Sequence, residues 1–170
     1  MILLRPRLST CKSVFIITLV FCLAPAMSGR YFAQSQQNST PDPWDQSQLM
    51  MPADLARLLA KQEGKRPYVV CVGFDFLYKG AHIPMSDYAG PGRDAMGIQA
   101  LKDWASGAAH NKVVVIYCGC CPMKECPNIR PAFLALRQMG FKHLKVLNIE
   151  NNLAKDWVDK SFATEKGPLK

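Results

Sequence analysis

The chain has no apolar stretch long enough to cross a bilayer as a helix. Its longest run, Val14 to Ala24 (VFIITLVFCLA), spans eleven residues, well short of the ~20 that a spanning helix requires. The first 28 residues also lack any acidic side chain, while Arg5, Arg7 and Lys12 precede the apolar run. Small residues follow it in Ala24-Pro25-Ala26-Met27-Ser28-Gly29. A basic start, a short apolar core and a small-residue exit form the pattern of a secretory signal peptide. Residues 1–28 are therefore expected to be an export signal, with cleavage before Gly29 or after Ala26. The alternative is a retained membrane anchor, and bulky Phe21 argues against a lipid on Cys22. The expected location is outside the cytoplasm, periplasmic or secreted, with the membrane touched only through the signal segment.

Concentrated charge is missing too. The formal net charge is +8, but Lys61, Lys65, Arg66, Lys142, Lys145, Lys155 and Lys160 are scattered, without a stripe of interleaved aromatics. That distribution excludes a nucleic-acid surface of the usual kind and is compatible with small anions. Residues 29–48 (GRYFAQSQQNSTPDPWDQSQ) are poor in apolar periodicity and read as a polar, flexible linker. The folded domain is expected over 49–167, enough chain for one modest core, and is taken to be a monomer.

What the chain does contain is an alternation of helical and strand patterns. Met51-Pro52-Ala53-Asp54 opens a helix carrying Leu55, Leu58 and Leu59, and Gly64 closes it. Tyr68 to Phe74 (YVVCVGF) suits a buried strand. Residues 75–93, with Gly80, Pro84, Gly90, Pro91 and Gly92, read as mostly loop. Asp94 is placed to cap a second helix whose apolar members are Met96, Ile98, Leu101 and Trp104. Val113 to Cys118 (VVVIYC) is the strongest strand signal. A third helix starts at Ala132 and ends at Gly140, a strand covers His143 to Ile149, and a short last helix carries Leu153 and Trp157. The pattern implies an α/β domain with a mainly parallel sheet between helices. In such sheets the site lies beyond the carboxyl ends of the strands, which is where Cys118 falls.

Cysteine usage sharpens that placement. Of seven cysteines, Cys11 and Cys22 belong to the signal and Cys71 to an apolar strand. The other four, Cys118, Cys120, Cys121 and Cys126, crowd into nine residues. Five cysteines in an exported domain cannot all pair internally, and four in one loop look like a site. A nucleophilic cysteine must be accessible as thiolate near positive potential. A strand–loop–helix junction can supply this through loop N–H groups and the helix N-terminus. Cys120, Cys121 and Cys126 are candidate resolving or disulfide partners. Lys124 and Arg130, the cations nearest the loop, are candidates to hold substrate oxygens. A metal-binding module is the least favoured of three readings, because structural zinc sites usually draw their cysteines from two separate knuckles, and no residue is assigned as a metal ligand. No cofactor is expected.

Four segments resemble the rhodanese superfamily over about Met51 to Lys166. Tyr78-Lys79-Gly80-Ala81-His82-Ile83-Pro84 is similar to its aromatic-x-x-Gly-His-Ile-Pro signature. VVVIYC at 113–118 is similar to the strand that delivers the nucleophile. Met139-Gly140-Phe141 with Val146-Leu147 matches the segment after the active-site helix, and Asn151-Asn152 with Trp157 echoes the Gly-Gly-x-x-x-Trp ending. The resemblance implies a rhodanese-like three-layer sandwich and a sulfurtransferase or sulfur carrier forming a persulfide on Cys118. Its partners would be a small sulfur-containing anion or a thiol acceptor. The same cysteine paired with a loop cysteine would instead make an exported thiol–disulfide oxidoreductase or redox sensor. Two departures stand out: Cys71-Val72-Gly73 replaces the family's Asp-Val-Arg, and the loop from Cys118 to Arg130 is longer than usual. A long, Pro-interrupted loop argues against plain thiosulfate:cyanide transfer and against the related phosphatases.

Overall fold

A computed structural model describes residues 41–61, 64 and 66–168. The expected signal segment and the first part of the linker lie outside the described residues. Five strands form one sheet: β1 (Leu49–Met50), β2 (Tyr68–Cys71), β3 (Asp87–Tyr88), β4 (Val114–Tyr117) and β5 (Leu144–Leu147). Their spatial order is β1-β5-β4-β2-β3, and every pair is parallel. Four helices connect them: α1 (Pro52–Leu59), α2 (Asp75–Gly80), α3 (Ala95–Ser106) and α4 (Ile129–Gln138). This is the expected α/β architecture, with the sheet parallel throughout.

The strand sequences dictate the three layers. Successive side chains of a strand point to opposite faces, and β2 and β4 are apolar on both. Val70, Val72, Val114, Ile116 and Cys118 face one core with Leu101 of α3 and Ile129, Phe133 and Leu136 of α4. Val69, Cys71, Val115 and Tyr117 face the other with Leu55 and Leu59 of α1, Tyr78 of α2 and Trp157. Continuous Val-rich runs of this kind belong to parallel sheets covered on both sides. Register between β2 and β4 sets Val70 beside Ile116 and Cys71 beside Tyr117. The strands consequently end level with each other, and Cys118 emerges at the carboxyl edge of the sheet.

Several local expectations are corrected. The loop expected over 75–93 contains α2 and β3. Its glycines and prolines punctuate two short elements whose packing, not their local pattern, stabilises them. Tyr78 is buried against Cys71's face of the sheet, and β3 pairs with β2 at Val70–Asp87. Edge strand β1, two residues long, carries no periodic signal at all. Met96 is 85% exposed and does not join the apolar face of α3. Asp94 precedes α3 without a side-chain cap.

The linker also ends earlier than its polar composition indicates. Trp44 is buried with its ring 5.4 Å from that of Phe133. Asp45 caps a 3-10 turn at Gln46–Gln48 with a reciprocal capping box, and Asp42 pairs with Arg130. A single tryptophan reaching the α4 face thus brings part of the polar stretch into the folded unit. At the other end, His82 and Glu165 form an isolated antiparallel bridge. His82 also bonds through Nδ1 to the Tyr78 carbonyl at 2.8 Å and stacks on the Tyr78 ring. It fixes the turn after α2.

Replacing Trp44 with alanine should lower unfolding free energy by about 3 kcal/mol, the usual range for a buried aromatic. Chemical denaturation of the Trp44→Ala variant checks this, and no change would return residues 41–48 to the linker. A second expectation concerns alkaline pH. Burial pushes the Cys71 thiol from its ordinary value near 9 up to about 12. Above pH 9 the unfolded chain releases this proton while the folded chain retains it. The unfolded state then binds fewer protons, so stability falls as pH rises from about 9 to about 12. Denaturation midpoints across that window should decline less steeply in Cys71→Ala than in the parent chain.

Candidate active site

Cys118 follows directly on β4, a strand buried along its whole length. The backbone leaves the sheet through Gly119, which adopts φ +81°, a conformation that favours glycine. The Gly119 carbonyl then accepts from Leu153 N at 3.0 Å. Gly73, at the end of β2, lets the two strand ends meet. A Cβ there would stand 2.3 Å from the Cys118 carbonyl oxygen and 3.2 Å from its Sγ. Gly73 is therefore a steric requirement of this site. No side chain fits between the two strand ends.

The loop after Cys118 is folded on itself. It winds into a 3-10 turn at Met123–Glu125, and several of its N–H groups bond to carbonyls. Met123 N donates to Ile149 O at 2.7 Å, and Cys126 N to Met123 O at 3.2 Å. This folding returns Cys126 to the neighbourhood of Cys118. The Cys118 and Cys120 sulfurs lie 3.1 Å apart, and Cys120 and Cys121 lie 3.0 Å apart. Cys126 hydrogen-bonds to the Cys118 sulfur, and that bond, followed by burial, holds its thiol well above the ordinary range. Burial first, then the contact with Cys121, pushes Cys120 up to about 12. Cys121 is also raised, chiefly by desolvation. All five described cysteines are free thiols.

A residue that sequence reasoning passed over completes the group. Asn128 is 0% exposed, and its Nδ2 donates to Cys118 Sγ at 3.2 Å. Its Oδ1 accepts from Arg93 N at 3.1 Å. Asparagine is a favoured N-cap, and this one immediately precedes α4, yet it makes no side-chain cap. Its amide is committed instead to the cysteine and to the loop before α3. A buried asparagine directly ahead of a helix was the available signal.

The two candidate cations are placed away from the thiols' open side. Arg130 donates through Nη2 to Lys124 O at 2.7 Å, pairs with Asp42, and lies over the Trp44 ring. Lys124 is exposed and borders a separate hollow with Pro122 and Glu150. A cleft of about 430 Å³ opens on the sheet edge instead, with Cys118 and Cys120 in its wall. Phe76, Leu77, Leu153 and Val158 supply much of the rest, and among the described residues neither lysine nor arginine lines it. Cys118 itself is only 4% exposed, so access to its sulfur runs through this apolar opening.

No family model matches this sequence, and a search of curated proteins finds no match. Solved structures do match. The BH2092 protein of Bacillus halodurans is 26% identical, with a TM-score of 0.55 over 71% of this chain and 77% of that one. The Alr3790 protein of Anabaena sp. is 18% identical, with a TM-score of 0.53 over 69% of this chain and 82% of that one. A second structure from Alr3790, a solution structure of its rhodanese-like domain, is 22% identical over 70% of this chain and 79% of that one, with a TM-score of 0.49. The chain folds as a rhodanese-like domain.

Asn128→Ala removes a donor from the Cys118 sulfur without touching the cleft wall. A hydrogen bond of this kind contributes about 0.5–1.5 kcal/mol to holding the sulfur in place, so alkylation of Cys118 should slow about two- to tenfold. Rates read by peptide mass spectrometry check this, with labelling of Cys121 as the internal comparison.

Proposed function

We propose that this domain is a sulfurtransferase or sulfur carrier working through a persulfide on Cys118, in an exported protein. The observation that carries this reading is the buried Asn128 amide donating to one strand-end sulfur beside an open cleft, with the Cys120 sulfur 3.1 Å away. A donor held at this position also suits a terminal persulfide, whose sulfurs accept hydrogen bonds. The thiolate of Cys118 attacks the outer sulfur of a donor. The donor's S–S bond breaks, its inner sulfur leaves with the electron pair, and Cys118 carries the transferred atom. An acceptor thiolate then takes that atom and restores the Cys118 thiolate.

The cleft favours one kind of partner. With aromatic and aliphatic walls and no lysine or arginine in its lining, it suits a thiol or persulfide borne on an apolar organic body. Small sulfur oxyanions gain little there, since Arg130 is committed to Asp42 and loop carbonyls and Lys124 borders a separate hollow. Arg130 is consequently a support of the loop in this reading, and Lys124 is not assigned to substrate.

The 3.1 Å approach of Cys120 favours a second outcome for the same intermediate. The Cys120 thiol attacking the inner sulfur of the persulfide forms a Cys118–Cys120 disulfide, and its proton leaves with the departing terminal sulfur as hydrosulfide. Atoms and electrons balance without an external oxidant. This route would make the domain a thiol–disulfide enzyme that releases its sulfur.

Intact-mass measurement after exposure to an organic persulfide, with thiosulfate in parallel, tests both. The expected result is a gain of one sulfur atom with the organic donor, weaker gain with thiosulfate, and none in Cys118→Ser. A subsequent loss of two hydrogens that disappears in Cys120→Ser identifies the disulfide route. A sulfur adduct that persists in Cys118→Ser would sink the proposal.

A further inference from the structure

The sequence spacing argues against metal ligation because all the cysteines crowd into one loop. The fold changes that argument. The 3-10 turn carries the chain out from Cys120 and back to Cys126, so the ligands approach from different directions after all. The Sγ atoms of Cys118, Cys120 and Cys126 all lie within 4.8 Å of one another. Cys118 is fixed by β4 and Asn128. Cys126 is fixed by its amide bond to Met123 and by Arg130, which reaches the Cys126 and Lys124 carbonyls. Two of the three sulfurs are buried and the third is half-buried beside the cleft.

We propose that Cys118, Cys120 and Cys126 form a three-thiolate binding site for Cu(I). The donor set decides the metal. Among the described residues it holds sulfur alone, with neither imidazole nor carboxylate, and soft thiolate ligands select soft ions such as Cu(I). Zinc in structural sites takes four donors in a tetrahedron, and Cys121 is not within the mutual reach of the other three. Size fits as well. Three sulfurs each about 2.3 Å from a central ion stand about 4 Å apart. The present separations, from 3.1 Å between Cys118 and Cys120 up to 4.8 Å at most, bracket that value, so modest side-chain rotations complete the triangle.

Binding exchanges three S–H protons for one Cu(I). The protons leave to solvent, three Cu–S bonds form, and no electron changes hands. The complex carries two negative charges, partly offset by Asn128 Nδ2 on the Cys118 sulfur. An occupied site removes Cys118 from sulfur transfer, so the two activities exclude each other on a given molecule. The metal site nevertheless stands without the persulfide reading, because it needs only the three thiols and their geometry.

The test uses the reduced full chain carrying Cys11→Ser and Cys22→Ser, under anaerobic conditions. Cu(I) is supplied as its acetonitrile complex and competed with a chromogenic Cu(I) chelator. The chain should withhold one equivalent and show near-ultraviolet sulfur-to-copper charge transfer. Cys118→Ser, Cys120→Ser and Cys126→Ser should each weaken retention at least about tenfold, while Cys71→Ala and Cys121→Ser retain it. X-ray absorption at the copper edge of the unmutated site should give three sulfur neighbours, a readout independent of variant folding. Complete loss of copper to the chelator, or oxygen or nitrogen neighbours, overturns the site. A chain that takes up sulfur on Cys118 yet yields all its copper overturns this inference alone. Copper retained by a chain that forms no persulfide supports it and overturns only the sulfur-transfer reading.

Discussion

The hydrogen bond from Asn128 Nδ2 to Cys118 Sγ is the link on which the site depends. It joins the carboxyl end of β4 to the start of α4 across the whole cysteine-rich loop. The same asparagine accepts from Arg93 and so anchors the turn that enters α3. A buried amide left without partners is costly; here both ends of the side chain are satisfied, and doing so fixes the sulfur. Gly73 and Gly92 complete the arrangement by letting backbone approach where a Cβ would collide with Cys118 and with the Asn128 carbonyl.

Given that anchor, the long loop becomes a way of gathering sulfur. A short loop would lead its N–H groups around one thiol. This one forms a 3-10 turn, bonds its amides to carbonyls, and presents further thiols to the first. Proton sharing follows from the crowding: Cys126 gives its hydrogen bond to Cys118 and keeps its proton, and burial keeps Cys120 protonated as well. One sulfur held by a buried amide suits nucleophilic chemistry, and three sulfurs in a triangle suit a soft ion.

The legible parts of the chain were those where a single element's pattern carries the information. VVVIYC reads as a buried strand because both faces are apolar, and its last residue must then sit at the sheet's edge. Cys71 reads as core for the same reason. The illegible parts are those whose stability comes from distant partners. Strands β1 and β3 have two residues each and exist only through pairing with β5 and β2. Trp44 sits in a polar stretch and is recruited by Phe133, far along the chain. Arg130 is three-dimensionally occupied by Asp42 and by loop carbonyls, which no local spacing could reveal.

The sequence by itself determined the layer order, the parallel sheet and the emergence of Cys118 at its edge, because alternating burial and strand–helix succession are local properties of the chain. Tertiary structure alone decided which groups meet that sulfur. Asn128, Cys120 and Cys126 converge through the path of a folded loop, and the apolar cleft arises where α2 and the turn after β5 lean over the sheet's edge. Hydrogen bonds and close sulfur contacts are short-ranged, so their partners are set by how elements pack, and packing distances are not written in sequence spacing.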